Sequence, residues 1–196
     1  MTVAQAPLHI VVSGTAGGVG TTTITALIYD LLGSMPGGAP TLADHSSGQL
    51  GIRLPHGDSA PRIDNIGVHD LGPHADGEGL DLVESVTTLA VIVTANTPLG
   101  LAGAERTLAT IGARYGAAGL ARVTVVAVGV FGPARTRRLI ARLHTARGRG
   151  SLIVVPTDPA LAGSGPIPLH QLNRRTLAAV AELGVHLRMQ IGLYRR

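Results

Sequence analysis

The 196-residue chain contains no cysteine, no lysine and no tryptophan. Without cysteine there can be no disulfide framework, thiolate metal site or cysteine nucleophile. Without lysine, all sixteen basic side chains are arginine, so the chain alone cannot run a reaction that needs a lysine amine. Aromatics are scarce, with one Phe and three Tyr, which argues against base stacking of single-stranded nucleic acid, since that recognition needs several exposed rings. No apolar run reaches the roughly 18 residues of a membrane-spanning helix. Residues 1–8 have neither a basic start nor a long apolar run, so no signal peptide or stable membrane anchoring is expected, and a cytoplasmic location is. Charged residues make up only 14% against 45% hydrophobic, and the mean hydropathy is +0.32. Such values exclude a disordered tail or a coiled coil. The net charge of +4 permits an anionic partner without requiring one.

What is present is the pattern of one α/β domain spanning 1–196, a length that suits a single core. Continuous apolar, β-rich runs at 9–13, 40–43, 66–69, 89–94, 123–128 and 152–155 read as buried parallel strands. Helical periodicity fills most gaps, at 22–32, 101–115, 134–146 and 172–187. Strand and helix in alternation predict a doubly wound, mainly parallel sheet with helices on both faces. Ligands of such sheets sit beyond the C-terminal strand ends, so the loops after the strands come first.

Directly after the first strand stands Gly14-Thr15-Ala16-Gly17-Gly18-Val19-Gly20-Thr21-Thr22-Thr23, followed by an apolar-periodic helix. A Gly-rich turn opening a helix aims backbone N–H groups and the positive end of the helix dipole at one place, which suits phosphate. A ligand-free strand-to-helix turn has the same pattern. A P-loop ends in Gly-Lys-Ser/Thr, its lysine reaching the β- and γ-phosphates and its hydroxyl holding Mg²⁺. Here Thr21 stands in the lysine's place, and the hydroxyl position is kept as Thr22.

The segment from Gly17 to Thr23 resembles the Walker A loop of the ParA/MinD family of deviant P-loop ATPases, whose pattern is Lys-Gly-Gly-Val-Gly-Lys-Thr-Thr. Ala16 stands in place of the signature lysine and Thr21 in place of the P-loop lysine. The resemblance continues. Asp44-His45-Ser46 is similar to the family's switch I sequence, which implies water orientation by Asp44, with Ser46 replacing the second aspartate. Asp70-Leu71-Gly72 looks like Walker B and switch II, making Asp70 the Mg²⁺-linked carboxylate. Pro156-Thr157-Asp158 resembles the segment bordering the adenine pocket, and implies nucleotide contacts at Pro156 and Asp158. Brief loops and the threonine-rich turn look closest to the CpaE/TadZ-like branch, which positions pilus or secretion machinery. The resemblance implies a scaffold or positioning factor that works on cellular machinery through protein contacts and self-association. With both lysines replaced, ATP and Mg²⁺ are expected to bind weakly or not at all, and efficient ATP hydrolysis is not expected. A slow ATPase completed by a partner's arginine is the alternative.

Three further groups stand out. Asp44 and Asp70 end strands expected to be neighbours, so with Thr22 they can offer oxygens to Mg²⁺, or each can cap its own turn. His45, His69 and His74 fall around the same rim and with Asp70 could ligate Zn²⁺, although no helical i, i+4 pair supports it. Arg135, Arg137, Arg138, Arg142, Arg147 and Arg149 crowd one helix and its exit without an intervening acid. They form either a solvated face or a stripe for DNA or another acidic partner. Leu187, Ile191 and Leu193 with Arg188, Arg195 and Arg196 are similar to the membrane-targeting helix of MinD, but a last helix docked on the sheet is the expected reading.

Overall fold

The computed structural model describes residues 6–34, 39–46, 49–57, 62–130, 136–147 and 152–194. Six parallel strands form one sheet in the order β2-β3-β1-β4-β5-β6. They are β1 (Leu8–Gly14), β2 (Ala39–Asp44), β3 (Arg62–Asp70), β4 (Thr88–Ala95), β5 (Val123–Val128) and β6 (Leu152–Val155). The helices are α1 (Thr21–Gly33), α2 (Leu50–Arg53), α3 (Glu78–Leu82), α4 (Pro98–Ala121), α5 (Arg137–Arg147) and α6 (Arg174–Tyr194). This is the doubly wound architecture that the strand and helix pattern predicts.

The central strands β1, β4 and β5 are largely apolar because successive side chains enter two different cores, whereas β3 (RIDNIGVHD) is apolar only in part and the edge strand β2 is partly exposed. On β4, Leu89, Val91 and Val93 join the cluster under α1 and α6, while Ala90 and Ile92 join the one under α3, α4 and α5. The first core takes Ile24, Leu27 and Ile28 of α1 and Leu183, Leu187 and Ile191 of α6. The second takes Leu101, Leu108 and Ile111 of α4 and Leu143 of α5. The C-terminal tail is therefore part of a docked helix. Among the described residues no helix is long and apolar enough to cross a membrane.

Two short helices escape the periodicity reading. α2 spans only four residues, Leu50–Arg53, and is held by Leu50, which is fully buried. α3 lies between Gly77 and Val83 with Leu80 buried. α4 begins three residues before its apolar period, because Thr97 caps it by accepting from the Gly100 N–H at 3.0 Å and Pro98 opens it, and Gly116 (φ 61°, ψ −159°) breaks it just after residue 115, where the period ends.

Candidate functional site

The turn after β1 reaches α1 through Gly18 and Gly20, whose φ angles of 74° and 92° lie in the left-handed region that glycine adopts without steric cost. Gly20 is the N-cap, with no side chain capping the helix. Ile24 is the first to bond back, its N–H donating to the Gly20 carbonyl at 2.9 Å. The amides of Thr21, Thr22 and Thr23 therefore have no intrahelical acceptor. They open onto a cavity of about 500 Å³ whose wall includes Gly17, Gly18, Thr22 and Ser46. Of the two positions where the resemblance places lysines, Ala16 is exposed and Thr21 is buried. The Thr21 hydroxyl lies over Gly14, where a Cβ would collide with it.

The opposite wall carries a cation that the sequence alone does not single out. Arg53, at the end of α2, is only 6% exposed. Its Nη1 donates to the carbonyls of Gly163 at 2.5 Å and Gly165 at 2.7 Å. Its Nη2 donates to the Leu161 carbonyl at 2.9 Å and the Thr23 hydroxyl at 3.1 Å. All four acceptors are neutral, and burial pushes the guanidinium pKa down. Among the described residues lining the cavity, Arg53 is the one charged side chain.

A second pocket of about 160 Å³ adjoins the first, sharing Gly18, Gly20 and Thr23 with it and extending between Ile24, Val128 and Pro156. Asp158 also borders it. Its carboxylate accepts from the Ala160 N–H at 3.1 Å and the Asn173 N–H at 2.9 Å, so it fastens the 3₁₀ turn Pro159–Leu161 to the start of α6. Burial pushes its pKa up, and donors led by the Asn173 N–H outweigh this and hold it below the ordinary value.

A cavity of about 500 Å³ at a Gly-rich turn, joined to a smaller pocket at the C-terminal strand ends, can be set beside known structures. A ParA family ATPase from Chlorobium tepidum TLS matches with a TM-score of 0.67 and 15% identity, over 93% of this chain and 99% of that one. The chain shares the fold of this ParA family structure. A chain of the MinC:MinD cell division protein complex of Aquifex aeolicus matches with a TM-score of 0.61 and 16% identity, over 93% and 95% of the two chains. A protein described as a plasmid partition protein of Borrelia burgdorferi B31, bound to AMPPNP, matches with a TM-score of 0.60 and 10% identity, over 95% and 100%. No protein-family model matches the sequence, and no curated protein matches it.

The carboxylates that end β2 and β3 stand side by side, Asp44 being in register with Asp70. Ser46 joins them. Its hydroxyl lies 2.8 Å from Asp44 Oδ1 and 3.1 Å from Asp70 Oδ2. Asp44 also accepts from the N–H groups of Ser46 at 2.8 Å and Leu50 at 3.1 Å, and so fixes the turn that leads into α2. Asp70 is fully buried and accepts from the Gly72 N–H at 2.9 Å. Of these three side chains Ser46 faces the cavity, together with Thr22.

On α5, Arg137 and Arg138 are exposed, whereas Arg142 forms a forked pair with Glu105 of α4, Nη2 lying 2.6 Å from Oε2. The fold thus supplies an acid to a stripe that has none in its own segment. Arg135, Arg149 and the side chain of Arg147 lie outside the described residues.

The histidines pair differently from the sequence grouping. His69 Nε2 meets His9 Nδ1 at 3.0 Å, and His69 Nδ1 meets His45 Nε2 at 3.3 Å, while His74 is not in the row. Among the described residues no three His, Asp or Glu side chains are arranged to hold a metal ion. Burial first, then the neighbouring His9 and His45, push the His69 pKa down. Burial does the same to His186, partly opposed by Glu182. Groups whose folded pKa is depressed take up protons more readily in the unfolded chain, so stability is complete above the ordinary histidine value of about 6.5 and falls as pH drops below it. We expect a lower melting temperature at pH 5.5 than at pH 7.5, and a shallower dependence in His69→Gln. Equal melting temperatures at the two values would contradict the burial of these neutral rings.

Proposed function

We propose that this chain is a ParA/MinD-like positioning protein, a scaffold that acts on cellular machinery through protein contacts and self-association, with a nucleotide cradle altered at both lysine positions. The observation that carries the reading is the cradle itself: turn, helix start and cavity are shaped for phosphate, while Ala16 offers a methyl and Thr21 a buried hydroxyl in place of ammonium groups. Two lost charge-assisted contacts, each worth about 1.5–3 kcal/mol, leave a site that holds ATP weakly and does not turn it over efficiently. The nucleotide's phosphates fit the larger cavity against residues 17–23, and its base fits the slot beside Pro156, with Asp158 fixing that edge. Mg²⁺ would be held by the Thr22 hydroxyl and, through Ser46, by the carboxylate of Asp70. When bound, it would draw negative charge from the phosphate oxygens. A partner protein is in keeping with the MinC:MinD complex among the structural relatives. Pilus or secretion machinery is the cargo class that the branch resemblance favours.

Self-association follows from the same change. A face bearing Ala16 and the glycines loses less hydration on burial than one bearing ammonium groups, so two copies can approach without a nucleotide between them. We expect light scattering of nucleotide-free protein to show concentration-dependent association, and calorimetry to show MgATP binding weaker than micromolar. A concentration-independent monomer, or sub-micromolar MgATP affinity, would overturn the reading. A dimer that forms only with ATP would instead favour the slow, partner-completed ATPase, in which Asp44 orients water.

A further inference from the structure

We propose that Arg53 is the cation of the phosphate cavity, supplied from α2 in place of the P-loop lysine, and that it gives the site its affinity for a di- or triphosphate. This rests on the nucleotide-cradle reading above and assigns a charge to it.

The argument begins with an imbalance. A buried cation is costly unless a counter-charge neutralises it. Arg53 is 6% exposed, yet its four acceptors are three backbone carbonyls and a threonine hydroxyl. Neutral acceptors satisfy the N–H groups and leave the full positive charge in place. Stitching α2 to the 161–165 loop would need donors only, which a neutral amide could offer without the charge.

The surroundings add to the imbalance. The cavity wall carries no aspartate or glutamate among the described residues. Beside Arg53, and bonded to it through Thr23, is the uncapped start of α1, which has no acidic residue in its first turn. The helix dipole places a partial positive charge there. Two positive features thus look into one polar cavity, and one bound anion would relieve both. Guanidinium stays charged where an ammonium would lose its proton, and with its four Nη hydrogens held by Gly163, Gly165, Leu161 and Thr23 it would act on a bound phosphate through its charge rather than through a two-pronged hydrogen bond. The link to Thr23 ties Arg53 to the turn itself, and the links to Gly163 and Gly165 tie it to the loop over the cavity.

The test is calorimetric titration of the full chain with inorganic pyrophosphate and with ADP, comparing wild type with Arg53→Gln. Arg114→Gln, which removes an exposed cation paired with Asp81, serves as the charge control. We expect wild type and the control to bind alike, and Arg53→Gln to bind at least about tenfold more weakly. Equal binding by wild type and Arg53→Gln would overturn the role of Arg53 while leaving the cradle intact. No binding of either ligand to wild type at millimolar concentration would overturn the cradle reading, and this proposal with it. Should Arg53→Gln fail to fold, the arginine Nε–H spectrum of wild-type protein decides the matter, with Arg53→Lys used to assign the resonance. A saturable shift of the Arg53 signal with pyrophosphate, absent at Arg114, supports the proposal, and an unmoved Arg53 signal overturns it.

Discussion

Thr21→Lys is expected to bind MgADP about tenfold to a hundredfold more tightly than wild type, the gain of one charge-assisted phosphate contact. Thr21 already lines the cavity in the first turn of α1. Its hydroxyl lies over Gly14, where the absence of a side chain leaves room beside it. A lysine ammonium at this position would share the cavity with the Arg53 guanidinium. Without an anion the two cations repel, so the ligand-free variant should also melt below wild type, and saturating MgADP should close the gap. Calorimetry gives the first quantity and thermal melting the second. A folded variant with unchanged affinity would mean that the turn is not aimed at phosphate.

Gly129→Ala is expected to destabilise the fold by about 1–3 kcal/mol or more, the range for forcing extra volume into packed structure. A Cβ at Gly129 would come within 2.7 Å of the Pro156 carbonyl carbon and 2.8 Å of the Thr157 hydroxyl, and would also collide with the Thr157 nitrogen. Two of these atoms belong to backbone, which cannot rotate aside. The same glycine donates its N–H to the Val155 carbonyl at 2.7 Å, extending the β5–β6 pairing past the strand ends. Relief of the clash would therefore separate these ends and open the narrower pocket between them. Gly17→Ala is the control, because a Cβ there meets nothing within 4 Å. Denaturant midpoints should fall for the first variant and stay near wild type for the second, and a near-neutral Gly129→Ala would show that the two strand ends can part cheaply.

All six strands are legible in the sequence because the covered sheet gives each an apolar stretch, but β3 begins four residues before its stretch at 66–69, since Arg62, Asp64 and Asn65 interrupt the pattern there. The Gly-rich turn is legible for a related reason, since positive φ at Gly18 and Gly20 needs glycine and leaves a local mark. Arg53 leaves none. Its burial depends on carbonyls at Leu161, Gly163 and Gly165, over a hundred residues away in the chain, and α2 is too short to show a period. Read locally, it is one arginine among sixteen. Ser46 is a subtler case. Sequence comparison makes it the replacement of an aspartate, but only the register of β2 on β3 shows that its hydroxyl spans the carboxylates on either side. Glu105 likewise meets Arg142 only once α4 and α5 pack together.

The row His45, His69, His9 runs from the residue after β2 across β3 to β1, and its ring nitrogens meet end to end. A neutral imidazole carries one N–H and one bare nitrogen, so each ring can give to one neighbour only if it takes from the other. The three tautomers are therefore locked to a common direction. With His45 giving to His69, His69 must give to His9; reversal of either link reverses both. A proton entering at His45 and another leaving at His9 would convert one order into the other with no heavy atom displaced, so the two hydrogen bonds can change direction only together.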